Sequence, residues 1–208
     1  MYASGLIIFA GLIFSLSLMA LIRFSLPNDF SDATGDFLYA IPFFAYFISA
    51  LLILLIAQDW EFDGKAYRLY FLCGISLEKV FVGKSIAASM MLWILYIFVG
   101  LWWFLFFSIS IDTFRHFLSL LLIGVPLSIG LAICGQMVSA LAQHSAYRYF
   151  LSVALFVPLG LPLIIAASGQ VQALAIGLDT MKNFGLMIAA IFIYGGSGWM
   201  LYAYLFEE

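Results

Sequence analysis

The stretch Phe37–Ala57, FLYAIPFFAYFISALLILLIA, runs without a single charged residue. A helix needs about 20 apolar residues to cross a hydrocarbon core of about 30 Å, and this run meets that length. Its apolar residues are continuous rather than alternating, which argues against the strand of an outer-membrane barrel. Lipid supplies no water to pair backbone N–H and C=O groups, so such a segment closes its hydrogen bonds internally, as a helix. Five more runs of the same kind lie around it: Gly5–Leu21, Ser85–Ser108, Phe117–Leu141, Tyr149–Ala167 and Phe184–Leu205. The expected fold is all-α, an integral membrane protein whose six transmembrane helices form one transmembrane domain over residues 1–208. The first run lacks a basic flank, and Leu21-Ile22-Arg23 offers no small-residue cleavage site, so it reads as a span.

Composition agrees. Of 208 residues, 66% are hydrophobic, 18% aromatic and only 9% charged, against about 45–50% apolar and about 25% charged in a soluble domain. Eight Lys and Arg face eleven Asp and Glu, a net charge of −3. That balance argues against a nucleic-acid surface, which needs clustered positive charge. Cys73 and Cys134 match neither a metal-ligand spacing nor a disulfide framework.

Six spans place both termini on one side. The loops sharing that side, Gln58–Lys84 and Gln143–Arg148, carry Lys65, Arg68, Lys79, Lys84 and Arg148, whereas the opposite loops carry Arg23, Arg115 and Lys182. Basic residues favour the cytoplasm, so the N- and C-termini are expected there.

The segment Gln58–Lys84, QDWEFDGKAYRLYFLCGISLEKVFVGK, interleaves charges with Trp60, Phe62, Tyr67, Tyr70 and several leucines. It reads as amphipathic helices at the membrane surface, broken at Gly64 and Gly74. One reading is an anchor for the bundle; a sharper one is a docking element for a cytoplasmic protein, since mixed charge with exposed aromatics suits a protein groove. Val82-Gly83-Lys84-Ser85 imitates the end of a phosphate-binding loop, but Glu78 stands where that motif needs glycine. Any ATP is therefore expected to be bound by another chain.

Within the spans no acid pair, Ser-His arrangement or metal cluster is visible, so no catalytic residue and no metal site is expected. Ionisable residues fall at span ends, which argues against a proton or ion relay. His116 and His144 lie in different loops on opposite sides and read as structural, and Trp93, Trp102 and Trp103 read as interfacial belt residues. Pro126, Pro158 and Pro162 are expected to kink their helices by leaving carbonyls without donors. Gly124, Gly130 and Gly135 in the fourth span and Gly195-Gly196-Ser197-Gly198 in the sixth allow close helix approach. Gln170–Asn183 reads as a short amphipathic or re-entrant element.

Six helices, cytoplasmic termini and a long amphipathic loop after the second span resemble the permease subunits of ABC-2-type transporters. More narrowly, the chain resembles the heme exporter protein B (CcmB) family of cytochrome c maturation. Three features carry the resemblance: Asp63-Gly64 followed by Leu69-Tyr70-Phe71-Leu72, Leu77 and Lys84; Leu121-Leu122-Ile123-Gly124-Val125-Pro126; and Phe156-Val157-Pro158-Leu159-Gly160-Leu161-Pro162-Leu163-Ile164-Ile165. It departs from the family pattern in a first span that starts almost at Met1, a shorter approach to Asp63-Gly64, and Tyr67 in place of an acidic residue.

The resemblance implies a homodimeric core in the bacterial inner membrane, partnered by a cytoplasmic ATPase (CcmA), by CcmC and CcmD, and by the haem chaperone CcmE. It implies no stably bound cofactor, with haem as the substrate handled, and ATP hydrolysis in the partner driving haem export or release of the loaded chaperone. The ATPase-coupling residues are then expected to be Asp59, Glu61, Asp63, Gly64, Arg68, Leu69, Leu72 and Lys79. Two other readings stand beside this one: an ABC-2 permease for another amphipathic substrate, and a non-transporting membrane scaffold. An enzyme comes last, for want of a catalytic set.

Overall fold

The computed structural model describes residues 2–26, 35–63, 76–107, 114–142, 145, 147–175 and 181–205. It holds six helices: α1 (Tyr2–Ser25), α2 (Gly35–Asp63), α3 (Leu77–Phe107), α4 (Phe114–Ala142), α5 (Arg148–Ala175) and α6 (Met181–Leu205). All six are long and apolar enough to cross a membrane, and no strand occurs among the described residues. The chain is a multi-pass, all-α membrane protein.

The helices run up and down, so that residues 63, 77, 142 and 148 share one end, called the loop end here, and residues 25, 35, 107, 114, 175 and 181 share the far end. Contacts at both ends agree with that order. At the far end the Arg23 Nε–H donates to the Phe106 carbonyl at 3.1 Å, tying the end of α1 to the end of α3. At the loop end the Gln58 amide donates to the Gly135 carbonyl at 3.3 Å, tying α2 to α4.

α4 is the centre. It packs on α2, α3, α5 and α6, and 72% of its most apolar window is buried, against 22% for α1 and 11% for α6. Lipid tails are as apolar as leucine, so burial alone gives helices little reason to associate; close packing must hold them. Small residues make that packing close. At Gly130 an added Cβ would lie 2.9 Å from Leu163 and at Gly135 2.7 Å from Leu54, while at Gly124 it would overlap the Tyr96 ring. Gly11 against Ile53, and Gly160 at 2.5 Å from Phe47, extend the device to α1 and α5. Leu92, Leu95, Leu127, Leu131 and Leu163 are fully buried in the resulting core.

Several hydroxyls inside the spans are satisfied locally. Ser15, Ser49, Ser89, Ser168 and Ser197 each donate to a carbonyl three or four residues earlier, which is how a helix carries serine in a solvent without donors or acceptors.

Helix ends depart from the apolar runs. Gln58–Asp63 prolongs α2, and Leu77–Lys84 is the opening of α3, so neither piece is the separate surface helix expected of it. Ser76 caps α3, its carbonyl accepting from the N–H groups of Lys79 (3.0 Å) and Val80 (3.3 Å). Gln170–Ala175 likewise continues α5 and Met181 already opens α6, so this stretch is helix end and helix start rather than a re-entrant element over Gln170–Asn183. Residues 176–180 lie outside the described residues.

Candidate functional site

The coupling residues expected from sequence divide three ways. Asp59, Glu61 and Asp63 occupy the last turns of α2. Lys79 sits exposed in the first turn of α3, beside Glu78. Gly64, Arg68, Leu69 and Leu72 lie outside the described residues, as do Cys73, Gly74 and His144. The structure thus brings the two flanks of the segment to the same end of the bundle.

Both flanks are seated on the centre. On the α2 side, Leu54 packs into the space left by Gly135, and Gln58 bonds the Gly135 carbonyl one turn later. Ser152 and Phe156 of α5 close the other side of this cleft. On the α3 side, Val80, Phe81 and Ala140 form a buried cluster at the loop end, separate from the main core, with Ile133 packed against it. The Phe81 ring occupies the space above Gly198 of α6, where a Cβ would approach it to 2.7 Å. Displacing either flank therefore pushes on α4, and the α3 flank pushes on α6 as well.

A polar cluster that sequence reading missed lies midway across the bundle. Tyr46 of α2 shares a hydrogen bond with Ser128 of α4 at 3.0 Å. Its ring meets that of Tyr96 edge-to-face, with centroids 5.5 Å apart. Tyr96 in turn donates from its hydroxyl to the Leu120 carbonyl at 3.0 Å. Lone tyrosines in apolar runs carry no periodic signal, so nothing in the sequence pairs them.

The three prolines expected as kinks stand inside unbroken helices, Pro126 in α4 and Pro158 and Pro162 in α5. Pro126 is buried, whereas Pro158 and Pro162 are exposed on the outer face of α5. Between that proline pair, the Leu159 carbonyl accepts a 2.8 Å hydrogen bond from the Tyr194 hydroxyl of α6. A fourth proline, Pro42, also stands inside a helix, α2, and is buried. Trp93 is 38% exposed but lies midway along α3 rather than at a span end, so it is not placed as a belt residue; Trp103 is only 4% exposed and belongs to the core. His116 falls in the first turn of α4. Among the described residues no group of three His, Cys, Asp or Glu side chains converges as a metal site.

Buried polar residues in the described spans are Ser15, Ser49, Ser85, Ser128, Ser152, Gln136 and Gln170, with no charged residue among them. Among the described residues, a core of this kind holds the helices together by packing and neutral polar contacts.

A family model described as CcmB protein matches residues 3–195. Comparison with curated proteins and with solved structures gives no match.

Proposed function

The chain belongs to the CcmB protein family, and from that premise we propose that this haem-exporter membrane subunit couples ATP hydrolysis in a separate cytoplasmic ATPase, CcmA, to haem export or to release of the haem-loaded chaperone CcmE. The observation that carries the coupling is the anchoring of both flanks of segment 58–84 on α4, through Gln58 and Leu54 at Gly135 and through Phe81 at Ala140. Closure of an ATPase dimer against this segment would move α2 and α3 as levers, and the packed core would pass the motion to α4 as a rigid shift.

In this reading the loop end faces the cytoplasm of a bacterial inner membrane, CcmC and CcmD complete the complex, and the working unit is a homodimer. Because the centre of each bundle is filled by Leu92, Leu95, Leu127 and Leu131, an amphipathic substrate would travel along an outer face or between two copies. The same packed centre suits the second reading, in which the chain transmits ATPase turnover to the chaperone without passing haem.

Gln58→Leu tests the lever directly. Hydrogen bonds between membrane helices average about 0.6 kcal/mol, so the bundle should stay folded. The stimulation of ATP hydrolysis by the apo-chaperone in the purified complex should fall about threefold, the factor that such an energy implies, with ATPase co-purification unchanged. Stimulation at the wild-type level would remove Gln58 from the coupling path.

A further inference from the structure

Proline has no N–H to give, so inside a helix it leaves the carbonyl four residues earlier without its intrahelical donor. In α5 Pro158 does this to Ala154, and Pro162 does it to Pro158. All three residues lie on the exposed face of the helix. That face therefore lacks hydrogen bonds over two successive turns at mid-span, the setting in which helices kink. The opposite face carries Gly160, buried against the Phe47 ring, which an added Cβ would approach to 2.5 Å. Bonds missing on the outside and a residue without a side chain on the inside make residues 158–162 a pivot.

One bond from another helix reaches this pivot. The Tyr194 hydroxyl of α6 donates to the Leu159 carbonyl at 2.8 Å. The neighbouring α4 repeats the arrangement. There Pro126 leaves the Leu122 carbonyl without its helical donor, and tyrosines from other helices bond on both sides of it. Tyr96 of α3 donates to the Leu120 carbonyl and Tyr46 of α2 meets the Ser128 hydroxyl, each at 3.0 Å. Gly130, about one turn past Pro126, lies against Leu163, the residue after Pro162, so the two proline sites are neighbours in depth.

We propose that Tyr194 is the latch of a hinge in α5. Bonded to Leu159, it ties the pivot to α6, and the helix moves as one rod. Released, the loop-end half, residues 148–157, swings about Gly160. That half carries Ser152 and Phe156, which close the cleft beside Gln58 and Gly135, so unlatching opens this cleft. A plain contact between helices would serve α5 equally with or without its prolines, whereas a latch matters only where there is a hinge to hold. The latch does not depend on the ATPase coupling.

Hydrogen exchange in the purified full chain in lipid nanodiscs, read by mass spectrometry, tests the hinge. Tyr194→Phe keeps the ring and removes the hydroxyl. It should raise exchange at the amides of residues 155–165 about threefold, the factor for one hydrogen bond between membrane helices. Amides around Leu92 and Leu95, fully buried in α3, report opening of the whole bundle and should not change. Pro158→Ala with Pro162→Ala restores both missing donors on an exposed face, and in that background Tyr194→Phe should leave exchange at 155–165 unaltered. The swing is read separately: maleimide labelling of Ser152→Cys, in a chain carrying Cys73→Ala and Cys134→Ala, should quicken about threefold with Tyr194→Phe. An equal rise in both backgrounds would make Tyr194 an ordinary contact between helices, and a rise shared by Leu92 and Leu95 would make its role global stability. Either result, an absent rise in the chain with its prolines, or unchanged labelling at position 152 would overturn the assignment.

Discussion

Gly124→Ala should lower the stability of the bundle by about 3 kcal/mol, roughly a hundredfold in the ratio of folded to unfolded chain. The added methyl would enter the Tyr96 ring, with Cδ1 and Cε1 the first atoms met. That ring cannot step aside cheaply. Its hydroxyl is held by the Leu120 carbonyl, one face meets Tyr46 edge-on, and Phe43 packs at a centroid distance of 6.3 Å. Moving it also disturbs the Tyr46–Ser128 bond that joins α2 to the middle of α4. Thermal unfolding in detergent checks the effect, with Gly100→Ala as the neutral comparison because its Cβ meets nothing. Adding Tyr96→Leu to Gly124→Ala should restore part of the loss. A Gly124→Ala protein as stable as the wild type would show that α3 and α4 do not depend on this approach.

The second large effect concerns recruitment. Reversing two charges at once, Asp63→Arg with Arg68→Glu, should reduce co-purification of the ATPase at least about tenfold, since placing like charges across an interface costs several kcal/mol. Asp63 is the last residue of α2, and Arg68 belongs to the part of the segment outside the described residues. The contacts of Gln58, Leu54 and Phe81 involve other residues, and the unfolding midpoint should stay within about a degree of the wild type. Retained co-purification at the wild-type level would move the ATPase contact elsewhere.

Why some of this could be read from sequence and some could not follows from what lipid does to the usual signals. The six spans are legible because water is excluded, and a continuous apolar run such as Phe37–Ala57 has one way to satisfy its backbone. Gly124, Gly130 and Gly135 were legible as approach points for the same reason: in a membrane, small residues are where helices meet. Their partners Tyr96, Leu163 and Leu54 were not. Both faces of a lipid-embedded helix are apolar, so periodicity does not distinguish the face of α3 that holds Leu92 and Leu95 from the face that exposes Trp93 and Ile94.

Helix ends failed for another reason. Asp59, Glu61, Glu78 and Lys79 end a hydropathy run, but a helix continues through them at a cost below about 1 kcal/mol each, since such residues are ordinary in its solvated turns. The expected surface segment is therefore shortened from both sides by α2 and α3. The loop-end cluster of Phe81 with Ala140, and its seat on Gly198, had no local signature at all. It exists because α3 begins early enough to pack there.

The most direct test of the account is covalent-haem staining of c-type cytochromes in cells lacking this chain, with and without its restoration. Every stained band should be lost in the deletion strain and recovered with the wild-type chain, and the Asp63→Arg/Arg68→Glu pair should restore them poorly. Normal bands in the deletion strain, with no paralogue present, would contradict it.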